Sequence, residues 1–217
     1  MNNNLTEIIV LLDKSGSMDS CLNDTIGGLN SFIEEQKKIS GEVNFTLVQF
    51  NHRCETILNS VPIHTVTEQT MCPGGNTALF DAIGETITET GKRLAALPEN
   101  QRPGLVLFMI ITDGEENSSR EYKSREQIKK MILHQEQKYS WKFSFLGSNQ
   151  DGFAAGNAIG IASSATFDNS APSKAFAATS SKFTRMRGLY NSGNESSLVD
   201  NSYTTDEISK MASDSPT

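Results

Sequence analysis

The chain has 217 residues, a net charge of −7, and 36% apolar against 21% charged residues. That length supports one domain with a single sizeable core, and the composition is that of a globular protein on the polar side. The negative balance argues against sequence-independent binding to nucleic acid, which rests on neutralising phosphates, and no Lys/Arg run forms a basic arm. No apolar run approaches the ~18 residues of a membrane span. The stretch from Met1 to Glu7 has no basic region before the first apolar run, so no secretory signal is read there and a cytoplasmic location is expected. Cys21, Cys54 and Cys72 are scattered and lack CxxC spacing, which reads as free thiols in a reducing compartment.

The first element is the run Ile8-Ile9-Val10-Leu11-Leu12, which ends in Asp13-Lys14-Ser15-Gly16-Ser17. A short, β-branched, continuously apolar run reads as a strand buried on both faces. Asp13 then lies at its carboxyl end, where open α/β sheets place their ligands. A helix follows through about Lys38, capped by Asp19 or Asn23, with Leu22, Ile26, Leu29 and Ile33 at helical spacing. Gly27-Gly28 weakens it by roughly 1 kcal/mol per glycine, for which close approach to the sheet is the expected reason. Val43 to Phe50 alternates, Asn51-His52 turns, and Cys54 to Val61 returns as the second strand of an antiparallel edge hairpin.

Residues 62–76 read as loop. Ala78 to about Leu97 reads as an amphipathic helix that Pro98 stops. Leu105 to Thr112 then repeats the opening arrangement, a continuous apolar run that meets Asp113. Ser124 caps a helix to about Lys138, with Gln127 in the capping-box position. Trp141 to Leu146 forms a strand, 153–160 a short helix, 165–167 a last strand, and Pro172 to about Gly188 a last helix. From Tyr190 onward Asn, Ser, Thr and five acids dominate against Lys210 alone. Residues 190–217 are therefore expected to form a flexible acidic tail after a domain spanning 1–189, with a short docking helix near 204–212 as the alternative.

Asp13, Ser15 and Ser17 offer only oxygen donors at alternate positions, which suits a hard cation such as Mg²⁺. Thr77, in Gly74-Gly75-Asn76-Thr77 ahead of a helix, and Asp113 extend the set to two acids and three hydroxyls. Mg²⁺ takes about six oxygens and commonly keeps waters, so one position is left for an outside ligand. Each residue also has an ordinary reading: cap, turn or Asx-turn. His52, His64 and His134 are dispersed and form no base–nucleophile pair. Asp81, Glu115, Glu116 and Asn117 lie near the same face, as does Asn149-Gln150-Asp151 after a further strand.

Asp-Lys-Ser-Gly-Ser after an apolar strand, Gly-Gly-Asn-Thr-Ala before a helix and Ile-Thr-Asp-Gly after a second apolar strand together resemble the von Willebrand factor type A (vWA) family. The helix–strand rhythm fits it over residues 5–188. In that family the pattern forms the metal-ion-dependent adhesion site. The resemblance implies a Rossmann-like, doubly wound α/β fold: a mostly parallel six-stranded sheet with one antiparallel edge strand and helices on both faces. It implies that Ser15 and Ser17 bind Mg²⁺ directly, with Mn²⁺ or Ca²⁺ as substitutes. Thr77 would bind directly or through water, and Asp13 and Asp113 largely through water. A partner protein's Glu or Asp carboxylate would complete the site.

The expected function is thus a non-enzymatic, metal-dependent protein-binding module inside an intracellular bacterial or phage assembly, without nucleic-acid or membrane partners. Two alternatives stand beside it. Asp13-Lys-Ser-Gly-Ser also resembles the phospho-aspartate motif of haloacid-dehalogenase-type phosphatases, with Asp13 as nucleophile and Asp113 as metal ligand. That motif's usual second acid is replaced by Ser15, and Gly-Gly-Asn-Thr-Ala has no role in its chemistry. The other alternative is a structural interaction domain whose metal site is unused.

Overall fold

A computed structural model describes residues 1–148 and 152–211, without the side chains of Gly152 and Phe153. Six strands form one sheet: β1 (Asn2–Asp13), β2 (Glu42–Phe50), β3 (Cys54–Pro62), β4 (Pro103–Thr112), β5 (Lys142–Ser148) and β6 (Ser164–Phe167). Their spatial order is β3-β2-β1-β4-β5-β6. Only β3 runs antiparallel, paired with β2 at the edge, as the hairpin reading anticipates. The sequence-read α/β class with a mostly parallel sheet is the one observed.

β1 and β4 sit side by side at the centre, with Ile8 opposite Leu107 and Leu12 opposite Ile111. Their unbroken apolar runs follow from being covered on both sides. Ile8, Val10 and Leu12 point into one core, and Ile9 and Leu11 into the other. The first core is closed by α1 (Leu22–Lys37) and α5 (Pro172–Asn191). The second is closed by α2 (Leu79–Ala96) and α3 (Arg125–Tyr139). A short helix, α4 (Gly152–Ala158), leads into β6.

Several local expectations need correction. Neither Asp19 nor Asn23 caps α1. Residues Gly16–Cys21 wind into a 3-10 turn that feeds directly into the helix, whose cap position is Cys21. The close approach at Gly28 is to a helix, not to the sheet. A Cβ there would lie 2.7 Å from the Phe176 ring and 2.8 Å from the Ser173 Cα of α5, whereas nothing lies within 4 Å at Gly27. Ser124 does cap α3, its hydroxyl accepting from Gln127 N at 3.1 Å.

The polar C-terminal stretch does not behave as a tail as far as Met211. Val199 and Met211 are buried in the α1/α5 core, and Tyr203 packs against it. Asn201 donates to the Phe143 carbonyl at 2.7 Å, tying the segment to β5. A last helix, α6 (Thr205–Ser209), opens with a Thr204/Glu207 capping box. Glu207 also receives a two-pronged ion pair from Arg185 at 3.0 and 3.1 Å. Two apolar anchors and one buried carboxylate suffice because the core they complete already exists. The docking-helix alternative is the one that matches over 205–209. Asn149-Gln150-Asp151 and residues 212–217 lie outside the described residues.

Candidate metal centre

β1 and β4 deliver Asp13 and Asp113 to the same end of the sheet. Asp13 closes β1 and is fully buried. Its Oδ1 accepts from Ser15 N at 2.7 Å and its Oδ2 from the Thr112 hydroxyl at 2.6 Å. The first bond folds the chain back so that Ser15 and Ser17 face the same way, their hydroxyl oxygens 3.1 Å apart. Ser17 then donates to Asp113 Oδ1 at 2.6 Å, joining residues 96 positions apart.

Thr77 enters from a third loop, which two backbone bonds stitch to the first, Gly74 N to Lys14 O at 2.8 Å and Gly16 N to Gly75 O at 3.0 Å, while Lys14 N donates to Phe50 O at the end of β2 at 2.6 Å. Gly75 has φ +81°, and a Cβ there would collide with His52 Nδ1, so the loop needs glycine at this position. Asn51 holds the same loop, donating through Nδ2 to Gly74 O at 2.7 Å and accepting from Ala78 N at 2.7 Å.

Thr77 is 3% exposed, yet its hydroxyl bonds to no described residue, and the cap position of α2 is Ala78. The cap reading of Thr77 therefore falls away. A Cβ built on Gly114 would lie 3.2 Å from Thr77 Oγ1, 3.7 Å from Ser17 Oγ and 3.9 Å from Asp13 Oδ2. Oxygens from the first and third loops thus converge on one small space against Gly114, beside Asp113 of the second, and a glycine there leaves it open. Ser15 reaches that group through Ser17. All five residues singled out in the sequence are brought together.

Burial raises the Asp13 carboxyl above its usual range, opposed by the hydrogen bonds from Thr112 and Ser15. Burial also raises Asp113, opposed by the bond from Ser17. Two desolvated carboxylates flanked by hydroxyls form a hard, oxygen-only donor set that a divalent cation relieves. Among the described residues no group of three or more His, Cys, Asp or Glu side chains is placed to hold a metal. Any cation here would depend on the hydroxyls.

Solved structures with this architecture can be compared directly. The zinc-occupied form of proximal thread matrix protein 1 from the mussel byssus superposes with a TM-score of 0.56 at 16% identity, covering 85% of this chain and 48% of that one. The vWF domain of the type V pili tip protein Mfa5 from Porphyromonas gingivalis gives 0.56 at 9% identity, covering 82% and 94%. The ArnB paralog VWA2 from Sulfolobus acidocaldarius gives 0.54 at 12% identity, covering 86% and 45%. The fold is that of a von Willebrand factor type A domain. The chain spans less than half the length of the mussel and Sulfolobus proteins. No protein-family model and no curated protein matches its sequence.

Residues outside the five-position pattern organise this end of the sheet. Thr112 anchors Asp13. Asn117 clasps Thr77, its Oδ1 accepting from Thr77 N at 2.9 Å and its own N–H donating back to Thr77 O at 3.0 Å. Glu116 accepts from Phe80 N, Ser118 N and Ser119 N, and Asp81 from the N–H groups of Arg120, Glu121 and Tyr122. Asp81, Glu116 and Asn117 therefore bind backbone and pin the 114–122 loop to the start of α2. Lys14 pairs with Glu55 at 2.6 Å at the rim. The sequence places Asp81, Glu115, Glu116 and Asn117 near this face but gives none of them a role. Nothing in the sequence singled out Thr112 from the other strand threonines.

Proposed function

We propose that this vWA domain is a metal-dependent protein-binding module whose bound Mg²⁺ accepts a Glu or Asp carboxylate from a partner. The observation that carries the reading is the convergence of Thr77, Ser17 and Asp13 oxygens around the opening beside Gly114, where the Thr77 hydroxyl makes no hydrogen bond to a described residue. When bound, the metal supplies an electrophilic centre for an outside carboxylate. Ser15, Ser17 and Thr77 hold it through neutral hydroxyls. Asp13 and Asp113 orient those hydroxyls and provide the charge that draws the cation. Few anionic donors leave the cation in need of another, and that need makes a partner's acid attractive. The mussel protein's zinc-occupied adhesion site supports a divalent ion on this scaffold.

The domain is further proposed to be non-catalytic and to act within an intracellular assembly. Against Asp13 as a phosphatase nucleophile stands its full burial, with both oxygens already accepting hydrogen bonds. A nucleophile needs a free, approachable oxygen. No helix among the described residues is long and apolar enough to cross a membrane.

Calorimetric titration of Mg²⁺ into the wild type and a Ser15→Ala, Ser17→Ala double variant tests the metal. Saturable binding is expected for the wild type and loss of it for the variant; equal heats from both would sink the reading. Turnover of a generic phosphomonoester that disappears in Asp13→Asn would instead favour the enzyme. Pull-downs with and without EDTA, using wild type and Thr77→Ala, test the partner step. Capture that survives EDTA would leave only a structural interaction domain.

A further inference from the structure

A mostly apolar cavity lies at the opposite end of the sheet. It opens between α2 and α3, above the amino-terminal half of β4 and the start of β5, with a volume of about 610 Å³. Val106 of its floor is seven residues before Asp113, on the order of 20 Å along the strand. Ile87, Val106, Met131 and Trp141 supply an apolar floor. A volume in the roughly 300–1,000 Å³ range is that of small-molecule sites, which are mostly apolar with a few placed polar groups.

The charges around it have one sign. In a chain of net charge −7, the charged side chains lining this cavity are Lys92, Arg102, Lys130 and Lys138, and none is acidic. Lys92 pairs with Glu89 at 2.8 Å, and Arg102 donates to the Leu97 and Ala95 carbonyls. Lys130 and Lys138 have no ion partner among the described residues. They stand eight positions apart on α3, about 12 Å along its axis and roughly 80° around it, and both line the cavity.

We propose that this cavity binds a single-chain amphipathic carboxylate of the fatty-acid type, its chain on the Met131–Trp141 floor and its head group between Lys130 and Lys138. The apolar floor selects the chain, and the two unpaired ammonium groups select the negative head. A neutral amphiphile of equal length forgoes the second interaction. The site shares no residue with the proposed metal centre, so its occupancy is independent of divalent ions.

The test uses decanoate, read by Trp141, the single tryptophan of the chain and part of the cavity floor. Wild type should show a saturable fluorescence change, unaffected by EDTA. Gly91→Leu provides a plug: Gly91 lines the cavity, no atom lies within 4 Å of a Cβ built there, and a helix interior favours leucine over glycine. It should fold with an unchanged or raised Tm and bind decanoate at least tenfold more weakly. Lys130→Glu with Lys138→Glu should weaken decanoate at least tenfold while leaving 1-decanol within twofold of wild type. Absence of a saturable change, equal binding by wild type and Gly91→Leu, or 1-decanol binding as tightly as decanoate would each overturn the proposal. Binding of anionic phosphatidylglycerol vesicles that decanoate does not compete would assign the face to a membrane surface and overturn it as well.

Discussion

Asn117 and Thr77 hold each other by a reciprocal pair of hydrogen bonds, side chain to backbone at 2.9 Å one way and backbone to backbone at 3.0 Å the other. The pair locks the loop after β4 to the loop before α2, and so fixes the separation between Asp113 and the Thr77 hydroxyl. Partners of this kind, which position ligands without touching the metal, typically contribute 10- to 100-fold in affinity. Asn117→Ala is therefore expected to weaken Mg²⁺ binding about tenfold while leaving the fold intact, as measured by calorimetry beside a urea melt. Unchanged affinity would mean that Thr77 needs no clasp.

Thr112 offers a second lever, because its hydroxyl is the partner of a buried Asp13 oxygen at 2.6 Å. Thr112→Val keeps the shape and orphans that oxygen, costing about 1.5–3 kcal/mol of unfolding free energy at pH 7 in EDTA. The lost bond lowers the Asp13 pKa, so the variant's carboxyl rises further above its unfolded value. A folded state that binds a proton more readily gains relative stability as pH falls. The deficit against wild type should thus be smaller at pH 4 than at pH 7 in urea unfolding. A deficit that grew toward acid would contradict this.

The two adjacent glycines of α1 make opposite predictions. Gly28→Ala drives a methyl into Phe176 and the Ser173 backbone, and overpacking of this kind typically costs about 1–3 kcal/mol. Gly27→Ala meets open space and should stabilise the helix by up to about 1 kcal/mol. Thermal melts of the two variants side by side decide it.

Lys182 is fully buried in α5, donating to the Ser144 and Ser163 hydroxyls with its Nζ 4.0 Å from the centre of the Tyr203 ring. Burial pushes it well below the ordinary lysine range. Between its folded and unfolded values the unfolded chain binds the extra proton, so this group's penalty is full at low pH and disappears as pH rises past about 10.4. Wild type should accordingly gain stability relative to Lys182→Met from pH 7 to pH 10, by at most about 1.4 kcal/mol per pH unit. A pH-independent difference in urea midpoints would show that Lys182 is charged when folded.

Sequence and tertiary structure divide the account of this protein along a physical line. Two continuous apolar runs ending in Asp13 and Asp113 announce buried central strands, because only strands covered on both faces have no polar alternation. The alternation of Val43–Phe50 announces a wetter strand, yet β2 buries Thr46 and Gln49 as well, and the exposed strand of the edge hairpin is β3. Local periodicity therefore determined the α/β class and the edge strand, while short oxygen-bearing motifs named the five residues that the fold gathers at one end of the sheet. It could not rank Thr112 or Asn117, whose partners lie 99 and 40 positions away. Nor could it show that Gly28 yields to α5, or that Val199 and Met211 return to a core built by other segments. Those features depend on which surfaces meet after the chain has closed. A residue's own neighbours in sequence carry no record of a contact that only the finished sheet brings within 4 Å.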